Sequence, residues 1–127
     1  MMRYGLFVIG LIAFVAPAHA ESRWAYVTMV LQAFAAKIDC PGVDVVYQDL
    51  VQKADEMHMP DGITEKVRNA IAYTLTGGKM GERQDDDLIS EVTAAKSSTD
   101  LDLKRLGMPA WCETQKPKLA GFIRTQN

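Results

Sequence analysis

Met57-His58-Met59, preceded by Asp55-Glu56, is the stretch whose residue types come nearest to metal chemistry. Thioethers and an imidazole are soft-to-borderline ligands that suit copper, Cu(I) above all. Adjacent residues on a helix project about 100° apart, so the three converge only where the backbone unwinds. Pro60 permits that, because a residue before proline is pushed out of helical geometry. The competing assignment is structural: Met57 extends an apolar stripe, His58 is solvated and Met59 fills a gap at the turn. The structural assignment is favoured, since a mononuclear site without a second histidine is an uncommon ligand set. Met57, His58 and Met59 stand as the alternative of a copper or small-ligand carrier, and no cofactor is expected.

The other reactive residue types lead elsewhere. Glu82, Asp85, Asp86 and Asp87 form an acidic cluster. It lacks the alternating acids, central glycine and terminal Glu of a calcium loop. Acids at a helix start are explained by the macrodipole and the free amides there. Thr76-Gly77-Gly78-Lys79-Met80-Gly81 is not a phosphate loop, which needs a preceding strand and Gly-Lys-Ser/Thr; it reads as a flexible connection. A nucleophilic triad needs an activating base, and the chain holds two histidines, His19 and His58. Nothing marks two of the 16 acids as a catalytic pair. The chain reads as a non-enzyme.

Residues 1–20 are expected to be a secretory signal peptide, cleaved after Ala20. Arg3 gives the positive start, Leu6 to Ala16 the apolar run, and Ala18-His19-Ala20 the small-x-small cleavage pattern. That run rises only about 16 Å as a helix, roughly half a bilayer core. No later segment approaches the apolar length of a span, so no stable membrane insertion is expected after cleavage. Export, to the periplasm of a Gram-negative host, removes His19 and leaves His58. It also removes one cation and no acid, so the remainder is one charge more negative than the whole chain's −2. Such a balance does not suit nucleic acid. In an oxidising compartment Cys40 and Cys112, the only cysteines, are expected to form one disulfide. No Cys-x-x-Cys spacing suggests redox or metal work.

Residues 21–127 are expected to fold as a single all-α domain, a small bundle of four to five short antiparallel helices stapled by Cys40–Cys112. Trp24, Val27, Leu31, Phe34, Ala35 and Ile38 recur at helical steps, from a Ser22 cap to Cys40-Pro41-Gly42. Ala25, Met29, Val30, Ala33 and Ala36 widen that face, so the first helix is central or also faces a partner. Trp24, Val27, Met29, Val30, Leu31 and Phe34 are the candidate interface, toward a protein partner or a second copy. A second helix runs from Val43 to Met57. A third, with Ile63, Val67, Ala70, Ile71 and Leu75 inward, stops at Gly77-Gly78. A fourth opens at Asp85-Asp86-Asp87, with an interruption at Ser97-Ser98 and a restart capped by Thr99. A last segment holds Trp111, Cys112, Leu119, Phe122 and Ile123, with Pro117 splitting or kinking it or standing in the first turn of a new helix. No strand alternation is evident. In size, single disulfide and helical content the chain is similar in outline to periplasmic acid-stress chaperones and periplasmic immunity proteins. The resulting expectation is an exported protein that acts by binding a protein partner.

Overall fold

The computed structural model of the chain describes residues 18–83 and 85–126. The leader expected at residues 1–20 lies outside them, apart from Ala18–Ala20, which open the first helix. Five helices are described: α1 (Ala18–Asp39), α2 (Tyr47–Glu56), α3 (Ile63–Leu75), α4 (Asp86–Leu106) and α5 (Met108–Lys118). A small antiparallel pair, β1 (Val43–Asp44) and β2 (Arg124–Thr125), joins the chain after α1 to its C-terminal end. The all-α class and the Cys40–Cys112 disulfide are as expected. No described helix is long and apolar enough to cross a membrane.

The wide apolar face of α1 is used inside the chain. Tyr26, Val27, Val30, Leu31, Ala33 and Ala36 are all buried, which places α1 at the centre with neighbours on several sides. α4 contributes a narrower stripe, Leu88, Val92, Ala95 and Thr99, and α3 contributes Ile63, Val67, Ala70 and Ile71. Trp111 of α5 and the tail residues Leu119, Phe122 and Ile123 complete the core.

The helix directions differ from the antiparallel expectation. Arg23 near the start of α1 pairs with Glu91 near the start of α4 at 3.0 Å. Leu31 and Ile38 further along α1 share a groove with Thr99 and Leu103 further along α4. These two helices therefore run the same way. α3 does too: Thr64 in its first turn meets Tyr26, and Leu75 at its end meets the Leu31–Asp39 stretch. A short loop between α3 and α4 would force reversal. The glycine-rich segment instead folds back along α3 as a strap. Gly81 has φ +77°, and a Cβ there would lie 2.7 Å from the Asn69 carbonyl. The Asn69 side chain donates to the Glu82 carbonyl at 2.7 Å and accepts from the Glu82 amide at 3.0 Å. The strap returns the chain to the level of Asn69 before α4 begins.

Four local readings are also corrected. Ser22 lies inside α1, which is helical from Ala18, and is not its N-cap. α4 continues unbroken through Ser97-Ser98, and Thr99 is a buried mid-helix residue rather than a cap. α2 starts at Tyr47, because Val43–Asp44 pair with the C-terminal chain; two-residue strands are too short to show alternation. Pro117 falls in the last turn of α5, and Pro109 occupies its first turn.

The Tyr26 hydroxyl is the buried polar junction. It donates to the Leu50 carbonyl of α2 at 3.0 Å. Its one proton being used there, Thr64 of α3 must donate to the phenol oxygen, 2.8 Å away. Replacing Tyr26 by Phe should cost about 1–2 kcal/mol, read as a lower urea midpoint at unchanged slope. An unaltered midpoint would show that the junction contributes nothing.

At the other end of the tail, Arg124 makes a two-pronged contact with Asp49 of α2, at 2.8 and 3.0 Å. These hydrogen bonds, helped by the guanidinium charge, hold the Asp49 carboxyl below its ordinary value. A depressed carboxyl stabilises the fold above its unfolded value and loses that contribution as pH falls through the folded one. An Asp49→Asn variant should therefore melt below the wild type at neutral pH, with the gap closing as acid protonates the wild-type carboxyl. A gap independent of pH would refute the assignment.

Candidate functional site

An apolar groove opens where the three like-directed helices end. Leu31, Ala35 and Ile38 of α1, Leu75 of α3 and Leu103 of α4 form its apolar lining, around a cavity of about 160 Å³. Asp39, Lys96 and Asp100 supply its charged edge. Ile38 is 71% exposed and Leu75 39% exposed, although helical spacing puts both on inward stripes. The reason is length. α3 stops at Leu75, where Gly77 and Gly78 with positive φ lead into the strap, whereas α4 continues to Leu106. Past Leu75 α3 no longer covers the seam, and the apolar stripe of α1 outruns it. The buried Thr99 also lines the groove, and its Oγ1 finds no partner in the protein.

The expected interface residues are distributed differently. Val27, Val30 and Leu31 belong to the core, Met29 and Phe34 are half-buried, and Trp24 is exposed. Trp111, by contrast, is fully buried beside the disulfide. Periodicity missed the groove because it identifies an apolar face without saying where the covering helix ends. The available signal was Ile38, standing between the charged Lys37 and Asp39 at the end of its stripe.

Met57-His58-Met59 forms the C-terminal cap of α2. The Met59 amide bonds to the Ala54 carbonyl at 2.9 Å and the His58 amide to the Asp55 carbonyl at 3.1 Å. His58 takes the left-handed conformation at φ 58°, the 6→1 and 5→2 pattern of a Schellman cap. Met59 is buried under the cap, Met57 is half-buried and His58 is exposed, so the structure divides the three between core and surface. Among the described residues no group of three His, Cys, Asp or Glu could hold a metal ion. Of the acidic cluster, Asp85 caps α4, accepting from the Leu88 amide at 3.0 Å. Asp86 pairs with Arg83 at 2.8 Å. No Asp or Glu among the described residues is buried.

Comparison with protein-family models, with curated proteins and with solved structures finds no match to this chain.

A left-handed residue other than glycine carries a steric cost of about 1–2 kcal/mol. His58→Gly should therefore raise stability by about 0.5–1 kcal/mol, after allowing for the freer unfolded chain. Chemical denaturation checks this; a loss of stability would mean that the imidazole makes a contribution absent from the cap geometry.

Proposed function

We propose that this is an exported, non-enzymatic protein of the inhibitor or immunity kind, which binds one protein partner through the groove at the ends of α1, α3 and α4. The observation that carries the reading is Ile38: a large aliphatic side chain, 71% exposed, at the mouth of an apolar groove. Isolated exposed hydrophobics are common; one that borders a cavity beside Leu75 and Leu103 is the arrangement of an anchor site. Export, to a periplasm, is supported by the disulfide and by the composition of residues 1–20.

An acid-stress chaperone is the neighbouring reading. It needs carboxylates whose protonation opens the fold. The ion pairs among the described residues, Asp49 with Arg124 and Glu91 with Arg23 included, lie at the surface or half-buried, while the disulfide and the Tyr26 junction contain no carboxylate. That composition favours a rigid binder. A copper carrier built on Met57, His58 and Met59 would have to draw Met59 out of the core, and no observation favours it.

The test is a photo-crosslinking amino acid placed at position 38 in the native host, with the same group at the exposed Lys118 as control. A discrete heterologous adduct from position 38, absent from 118, supports the reading. Adducts only to a second copy of the chain, or equal adducts at both positions, overturn it.

A further inference from the structure

We infer that the partner enters this groove with one large apolar side chain flanked by a basic residue, whose cation meets Asp39. The inference rests on the partner-binding reading above and adds the chemistry of the anchor. The cavity of about 160 Å³ is well below the roughly 300–1,000 Å³ of small-molecule sites. It suits a single aliphatic or aromatic side chain, the usual anchor of a protein interface.

The charge around it is net negative: Asp39 and Asp100 outnumber Lys96 in its lining. α1 and α3 both end at the groove, and the C-terminal end of a helix carries partial negative charge. The last turn of α3 holds no basic residue. Asp39, the last residue of α1, adds a full negative charge where the macrodipole disfavours one. Among the described residues no hydrogen bond or ion pair engages its carboxylate. The cations nearby are already committed: Lys37 faces Asp44 at 3.5 Å, and Lys96 faces Asp100 at 2.7 Å. The helix itself gains nothing from Asp39, and a residue that breaks a local rule without a compensating contact marks a functional position. The unmet charge beside an apolar pocket calls for a basic, apolar occupant.

The experiment titrates the oxidised protein with two capped tetrapeptides, acetyl-Lys-Leu-Leu-Lys-amide and acetyl-Glu-Leu-Leu-Glu-amide. It follows the methyl resonances of Ile38, Leu75 and Leu103. The basic peptide should shift these methyls and bind about fivefold tighter than the acidic one, the scale of one water-screened ion pair. Asp39→Asn should erase most of that preference while raising the melting temperature, since it removes an anion from a helix C-terminus. Four outcomes overturn the inference: equal binding of the two peptides, no shift with either, a preference that survives Asp39→Asn, or methyl shifts that follow protein concentration without peptide. A heterologous crosslink at position 38 alongside equal peptide binding would fail this inference and leave the partner-binding reading standing.

Discussion

One buried hydroxyl sets the register of the bundle. Tyr26 is fully buried, and a phenol in that position must be hydrogen-bonded or cost about 1–3 kcal/mol. It meets the requirement with α2 through the Leu50 carbonyl and with α3 through Thr64. Its ring lies 6.0 Å from that of Phe122 in the C-terminal tail. Burial pushes the phenol above its ordinary value, so it stays a neutral donor wherever the protein is folded near neutral pH. Satisfying this group obliges α3 to begin at the level of Tyr26, and with Leu75 beside Ile38 and Asp39 at the far end of α1 the two helices run the same way.

That obligation explains the strap. Like-directed helices cannot be joined by a tight turn, so the chain leaving α3 must travel back before α4 can begin. The return path runs against α3 so closely that a side chain at position 81 would collide with the Asn69 carbonyl. Asn69 then replaces a missing stretch of secondary structure, bonding both the amide and the carbonyl of Glu82. The glycines are there for close approach and left-handed backbone, with Gly77 and Gly78 making the exit from α3 and Gly81 the contact. α4 is free to follow α1 along its length, tied early by Arg23 and Glu91.

The sequence was informative where the physics is local. Helix count, the C-terminal ends of α1 and α3, the Asp85 cap and the Cys40–Cys112 pairing all follow from periodicity, cap chemistry and cysteine arithmetic. It was uninformative where geometry depends on distant residues. Val43–Asp44 look like the first turn of α2 until Arg124–Thr125 arrive to pair with them. Thr99 resembles an N-cap by its neighbours, yet lies in the middle of a continuous helix because Leu88, Val92 and Ala95 continue one buried stripe through it. Ile38 and Leu75 have core spacing, and only the relative lengths of α3 and α4 reveal that both are left exposed. The groove is therefore the part of the molecule least legible from the chain, while its individual apolar residues were all visible.

A seam left open at the ends of three helices should invite fraying, since terminal turns have the fewest hydrogen bonds. The fold closes the end of α1 immediately past the groove. Cys40 follows Asp39 directly and is bonded to Cys112 in the first half of α5, with a Cα separation of 5.6 Å. Two residues beyond Pro41, β1 pairs with β2, and the Gln126 amide reaches the Gly42 carbonyl at 2.7 Å. Trp111, next to Cys112, fills the space beneath without exposure. A disulfide removes unfolded-chain entropy wherever it lies, but here its position has a second consequence. It pins the chain directly after the last turn of α1, so Ile38 and Asp39 can remain uncovered on an ordered backbone. The staple and the open face are thus two halves of one arrangement: an anchor site needs a rigid wall, and the disulfide adds a covalent tie to α5 where the cover of α3 has ended.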